Sequence, residues 1–220
     1  MRFISHRGAG GLATENSRRA ITLGDSFKPE LIEVDLHQTS DSVAVVFHGK
    51  IHRGYRGTPL SQTYEQLKSD HPELLTLEEL FALKTDAAFL LDIKCSDAAS
   101  QFIKMIKAKR DSRFETAFTG TNAKALMSFS YAFPGARIFL GQPYQKDPFG
   151  TIRQARILGF EGISLNKWWL GPLVHLLCRR SNLEIYCYSV KRPLTMRVIK
   201  RYFPEVTVIT DFPDRASKLD

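Results

Sequence analysis

Apolar positions along this chain follow two rhythms, and the switch between them divides it into short extended runs and helix-length amphipathic segments. Runs rich in β-branched and aromatic residues fall at Arg2–Ser5, Leu31–Leu36, Ala88–Ile93, Glu115–Thr119, Ala136–Leu140, Gly162–Leu165, Leu183–Val190 and Val206–Ile209. The segments between them predict helices over Asn16–Asp25, Asp97–Arg110, Asn122–Tyr131, Pro148–Leu158, Pro172–Arg180 and Pro193–Tyr202, with a short one from Pro213. Val43–Phe47 reads as a hairpin arm returning on the second strand through a turn at Thr39–Asp41. Gly49–His71 is polar and irregular, with a short helix around Thr63–Lys68. Thr76, with Glu79 three residues on, has the form of a capping box.

Setting the hairpin arm aside leaves eight strands. Eight strand-then-helix units in 220 residues predict an α/β TIM (β/α)8 barrel, with a β-hairpin and loop elaboration after strand two. An open doubly wound sheet is the alternative with the same element order. No linker or repeat interrupts the pattern, so residues 1–220 are expected to form a single domain, with 49–73 as a short inserted loop region.

Composition narrows the class. Hydrophobic content of 43% and charged content of 25% are those of a soluble globular protein. No run approaches 18 uninterrupted apolar residues, and the first residues lack the apolar core of a signal peptide. Cys95, Cys178 and Cys187 are too few and too scattered for a disulfide framework or zinc cluster, and read as buried thiols in a reducing cytoplasm. The net charge of +8 is uneven: about +1 over residues 1–110 and +7 over 111–220. No dense basic block or nucleic-acid motif accompanies it, so no nucleic-acid partner and no stable membrane insertion are expected. A basic half also suits a phosphorylated small substrate or, with the RVIKR run at 197–201, anionic lipid.

The candidate chemistry sits at the strand ends. In the second strand Glu33 and Asp35 are two residues apart and share a face, while Ile32 and Val34 point the other way. Two buried like charges are costly unless a cation neutralises them. In a barrel, strand ends collect at one mouth. His6 and Arg7 end strand one, and the hairpin returns His48. Asp92 and Lys94 end strand three as a second i, i+2 pair. Three carboxylates are hard ligands for a divalent metal, Mg²⁺ or Ca²⁺. Arg7 and Lys94 are placed to stabilise a phosphoryl anion, and two histidines can divide general-base and general-acid work. The set predicts phosphodiester cleavage without a covalent enzyme intermediate. Asn166, at the end of strand six, is expected either to bind substrate or to cap the next element. Trp168 and Trp169 are expected beneath the following helix, with binding of an alcohol moiety or contact with a membrane surface from the mouth loop as the alternatives. His37, His52 and His71 are expected at the surface, with His52-Arg53 a lesser candidate for phosphate contact. Asp211 is expected to cap the last helix.

The succession HRG, EN(S/T), IEVDL, TSD, VVFH, DIK and TDFPD resembles that of the glycerophosphodiester phosphodiesterases, which share a TIM barrel with phosphoinositide-specific phospholipase C. The resemblance runs from His6 to Asp214, and LLTLEEL and YSV add to it. It implies a divalent metal held by Glu33, Asp35 and Asp92, and acid–base catalysis by His6 and His48. It further implies hydrolysis of a small glycerophosphodiester to glycerol 3-phosphate and an alcohol, with the substrate's own hydroxyl attacking first to give a cyclic phosphate. Two positions depart from the pattern: the third ligand is Asp92 rather than Glu, and Gly49 follows the second histidine where the family usually has Asp. Both bear on metal choice and rate rather than on fold. A related lyase that stops at the cyclic phosphate, and a degenerate barrel that binds phosphodiesters without turnover, are the alternatives.

Overall fold

The structure, a computed structural model, describes residues 1–49, 57–109, 117–143 and 147–219. Ten strands occur in chain order: β1 (Phe3–His6), β2 (Leu31–Gln38), β3 (Ala44–Val46), β4 (Leu75–Thr76), β5 (Ala88–Ile93), β6 (Ala117–Gly120), β7 (Ile138–Gly141), β8 (Gly162–Asn166), β9 (Glu184–Tyr188) and β10 (Thr207–Thr210). β1 pairs in parallel with both β2 and β10, and β2 pairs with β5. Parallel neighbours then follow in sequence from β5 to β10, so eight strands close a barrel. The helices are α1 (Arg18–Ser26), α2 (Tyr64–Asp70), α3 (Leu77–Phe81), α4 (Ala99–Lys109), α5 (Ala123–Ala132), α6 (Pro148–Leu158), α7 (Pro172–Arg180), α8 (Pro193–Tyr202) and α9 (Pro213–Ala216). The TIM-barrel expectation holds, and the open sheet is excluded by the β1–β10 pairing.

The elaboration after strand two is larger than a hairpin. β3 runs antiparallel to the end of β2, and β4 pairs antiparallel with β3. β4 has two residues, too few for alternation to be visible in the sequence. Thr76 does cap α3 reciprocally with Glu79, and Thr63 and Gln66 do the same for α2. Helix α1 starts later than expected. Asn16 has φ +60° and cannot lie in a right-handed helix, and Ser17 is the cap, accepting from the Ala20 N–H. The expected strand start at Glu115, the helix end at Arg110 and the His52-Arg53 pair lie outside the described residues.

Strand alternation sorts side chains into two cores. Ile4, Leu31, Leu90, Ala117, Phe139, Tyr186 and Ile209 pack inside the barrel. Ile32, Val34, Leu36, Phe89, Leu91 and Ile93 face the helices. Each such aliphatic side chain, fully buried, contributes about 1.5–3 kcal/mol. Inside, the Phe139 and Tyr186 rings stack with centroids 3.7 Å apart. The β1–α1 connection is tight: Gly8 has φ +72°, and a Cβ there would come within 2.4 Å of the Ala20 carbonyl carbon. This close approach seats the segment that carries Arg7. Cys95, Cys178 and Cys187 are buried free thiols, as expected. Among the described residues no helix is long and apolar enough to cross a membrane.

The pole where strands begin is closed by charges. Arg2 Nε lies 3.0 Å and Arg137 Nη1 3.1 Å from Glu30, and both guanidiniums also reach Glu184, at 3.2 and 2.8 Å. The Arg137 guanidinium sits 5.3 Å from the Phe139 ring centroid. Burial acts to raise the Glu30 carboxyl, but the two arginines outweigh it and hold it below its ordinary 4.5. Its stabilising contribution is therefore full above that value and is lost as the pH falls below it. Arg137→Ala is expected to lower unfolding free energy by about 1–2 kcal/mol at neutral pH. In urea titrations its deficit relative to wild type should shrink below pH 4.5; a deficit unchanged at acid pH would assign the effect to ring packing instead.

Candidate active site

Three adjacent strands build the opposite pole. The register sets His6 beside Glu33 and Asp35 beside Asp92. On β2, Leu31 belongs to the inner core while Ile32, Val34 and Leu36 face the helices, so Glu33 and Asp35 project inward above Leu31. On β5, Leu90 is inside and Asp92 lies one inward step above it. Glu33 is 3% and Asp35 0% exposed, which makes partners obligatory.

Asp35 is the most heavily engaged. Its Oδ2 accepts from Asn16 Nδ2 at 2.9 Å and lies 3.1 Å from Arg7 Nε, and its Oδ1 lies 2.9 Å from Lys94 Nζ. Its backbone N–H donates to Asn16 Oδ1 at 3.2 Å. Burial acts to raise this carboxyl, but Lys94 and Arg7 hold it well below the usual carboxylate range. Lys94 Nζ also contacts Asp92, and Arg7 Nη1 reaches Glu15 at 2.7 Å. Glu33 is less well served. It accepts from the Arg7 backbone N–H at 2.9 Å and lies 3.7 Å from His6 Nε2. Burial, then Asp35, push it up to about 7. Ligand oxygens of Glu33, Asp35 and Asp92 lie within 4.8 Å of one another. Oxygens around a shared Ca²⁺ or Mg²⁺ stand up to about 4–5 Å apart. The donor chemistry, the spacing and the sparse compensation of Glu33 fit a divalent cation.

His6 Nδ1 contacts Asp211 Oδ1, and Asp211 Oδ2 lies 2.6 Å from Lys191 Nζ. Burial acts to lower the His6 pKa, but Glu33 and Asp211 outweigh it and the net shift is upward. His48 is part-buried at the end of the hairpin. Burial lowers its pKa; Asp35 acts against this, and Arg7 and Lys94 add to it. His6, Arg7, Glu33, Asp35, Asp92 and Lys94 thus converge directly, and His48 lies within the field of the same charges.

Several expectations are corrected. Asp211 does not cap α9, whose cap position is Phe212 with no side-chain bond; it partners His6. The clue available in the sequence is topological, since a closed barrel sets the last strand beside the first. Asn16, expected to open the first helix and part of the EN(S/T) motif, is instead the direct clamp on Asp35. His37 is buried rather than at the surface, its Nδ1 accepting from the Gln38 N–H. Asn166 Oδ1 accepts from the Trp168 N–H, the capping role of the two expected. Trp168 and Trp169 are exposed rather than covered, because the 3-10 turn at Lys167–Trp169 carries them outward before α7 begins.

The model of the glycerophosphoryl diester phosphodiesterase family matches residues 6–215. No curated protein sequence matches closely enough to count as a relative. Among solved structures, a glycerophosphodiester phosphodiesterase from Thermotoga maritima is similar at 18% identity, TM-score 0.79, over 100% of this chain and 99% of that one. One from Parabacteroides distasonis is 23% identical, TM-score 0.80, over 99% and 95%. An Oleispira antarctica phosphodiesterase, in complex with its product sn-glycerol-3-phosphate, is 17% identical, TM-score 0.82, over 99% and 96%. These likenesses agree with the barrel, and the match over residues 6–215 shows that the chain belongs to the glycerophosphoryl diester phosphodiesterase family.

Proposed function

We propose that this protein hydrolyses small glycerophosphodiesters to glycerol 3-phosphate and an alcohol, with a divalent metal at Glu33, Asp35 and Asp92 and acid–base catalysis by His6 and His48. The observation that carries the reading is the convergence of three carboxylates, Arg7, Lys94 and His6 at one mouth of a family barrel. The Oleispira antarctica enzyme, which holds sn-glycerol-3-phosphate, supports the product class. Residues 1–220 are read as one catalytic barrel. Buried free thiols fit a cytoplasmic setting.

A divalent metal, Mg²⁺ or Ca²⁺, held by Glu33, Asp35 and Asp92 would supply Lewis-acid stabilisation of negative charge on a phosphoryl oxygen. Arg7 and Lys94 hold Asp35 ionised and add positive charge where the phosphoryl group would lie. Asp211 engages His6 at Nδ1 and leaves Nε2 directed into the site. One histidine takes the proton of the attacking hydroxyl, and the other gives a proton to the departing alcohol. Asn166 is read as shaping the mouth beside the substrate through the turn it caps.

Glycerol 3-phosphate release from glycerophosphocholine, measured with Mg²⁺, Ca²⁺ and Mn²⁺, should disappear with chelator and fall about 10²–10⁴-fold in His6→Ala. Folded wild-type protein that releases none with any metal and any head group would sink the hydrolase reading; accumulation of cyclic phosphate would replace it with a lyase.

Asn16→Ala removes the two bonds that Asn16 makes to Asp35, leaving Arg7 and Lys94 in place. Metal affinity should weaken about 10–100-fold, read as a rise in the metal concentration for half-maximal rate, with kcat at saturating metal largely retained. Asp211→Asn should give the converse, a lower kcat and an altered pH profile at unchanged metal affinity, because Asp211 acts through His6. Equal losses of both quantities in either variant would count against these separate positioning roles.

A further inference from the structure

The outer surface of the α6–α8 sector carries chemistry that the phosphodiester site does not use. Of eleven large hydrophobic side chains exposed among the described residues, seven lie between Trp168 and Tyr202. Trp168 is 83% exposed and Trp169 41%, in the turn that follows Asn166 at the barrel mouth. Leu173 and Leu176 stand on the outside of α7. Leu194, Val198 and Tyr202 recur every fourth residue of α8 and form one exposed stripe. An open groove of about 650 Å³, lined by Leu176 and Tyr202, lies between the two helices.

The charges on the same helices have one sign. α6 exposes Arg153 and Arg156, and α7 ends in exposed Arg179 and Arg180. α8 exposes Arg197, Lys200 and Arg201. None of the three helices contains Asp or Glu. This sector also accounts for much of the charge excess in the second half of the chain.

We propose that the α6–α8 sector docks this protein on an anionic lipid bilayer, with Trp168 and Trp169 in the headgroup region and the barrel mouth close to the surface. Aliphatic side chains between arginines fit a bilayer, whose hydrocarbon takes Leu and Val while its anionic headgroups take guanidinium. Tryptophan, with an apolar body and one N–H, suits the boundary between them. Glu205 pairs with Arg179 at the edge of this face, but the face remains strongly cationic, so a second copy of this chain would bring like charges together. Nucleic acid would match the arginines and leave the aliphatic stripe in water. The inference stands apart from the catalytic reading, since no residue of the patch belongs to the metal or proton-transfer set.

The chain has two tryptophans, both in this patch, so intrinsic fluorescence reports on it directly. The full chain is mixed with vesicles of phosphatidylcholine alone or with phosphatidylglycerol added. Sedimentation with the anionic vesicles, with a blue shift of emission and weakening by salt, is the expected result. R197A/R201A should lower partitioning roughly ten- to thirty-fold at low salt. L194S/V198S should lower it about ten-fold or more. Both variants should melt as wild type does, so that lost binding is not lost folding. Neither sedimentation nor shift at low salt would overturn the proposal. So would sedimentation without a shift that L194S/V198S leaves intact, which is adsorption by charge alone. A concentration-dependent dimer broken by L194S/V198S would reassign the face to a second copy.

Discussion

The mouth of this barrel is organised around the cost of burying Asp35 beside Glu33. Strand geometry aims both carboxylates inward, and neither reaches bulk water. At an effective dielectric of about 20, two unit charges separated by their 4.8 Å limit repel by roughly 3–4 kcal/mol, before any desolvation. Arg7, Lys94 and Asn16 converge on Asp35 and hold it ionised. Glu33 receives one backbone N–H and a more distant imidazole, and its carboxyl is pushed up to about 7. The chain's own cations thus neutralise one carboxylate and leave the pair short of positive charge. That residual deficit, more than the presence of acidic residues, is what fits a further cation at this site.

The two poles show why an ion cluster alone does not announce function. At the pole where strands begin, Arg2, Arg137, Glu30 and Glu184 form a closed set of two cations and two anions, each arginine reaching both carboxylates. That cluster is balanced, and it ties together segments at the starts of four barrel strands. At the mouth, three carboxylates face Arg7 and Lys94, and the imbalance falls on the most buried part of the set. The same side-chain types form a balanced cluster at one end and an unbalanced one at the other, and the difference lies in stoichiometry and burial.

Much of this was legible in the sequence because it is local. Period-two alternation put Glu33 with Asp35, and Asp92 with Lys94, and the count of strand–helix units set the barrel. The parts that escaped are those decided by closure. Asp211 is 205 residues from His6 and meets it only because β10 pairs with β1. Lys191 reaches Asp211 from the start of another loop. Asn16 lies in a motif, yet its role depends on a left-handed backbone and on the approach of Gly8 to α1, which no spacing rule specifies. The tryptophans took the exposed alternative rather than the buried one for a related reason. Hydrophobic character predicts burial, but the turn that carries them ends in a Gly-Pro start of α7 that turns the chain away before they can be covered.

Asp92 shows how neighbours absorb a change at a single position. A carboxylate one methylene shorter stands about 1.5 Å further from the centre of the site. It nevertheless remains within the 4.8 Å cluster. Asp92 is the register partner of Asp35 across β2 and β5, so its backbone is fixed by the longest strand pairing in the barrel. Lys94, two residues on and on the same face, contacts both Asp92 and Asp35, drawing the two carboxylates towards one ammonium. Lys94 thus ties the shorter carboxylate to its neighbour through one ammonium. This couples the two residues: on the proposed reading, removal of Lys94 would act on the carboxylate cluster as well as on the phosphoryl charge.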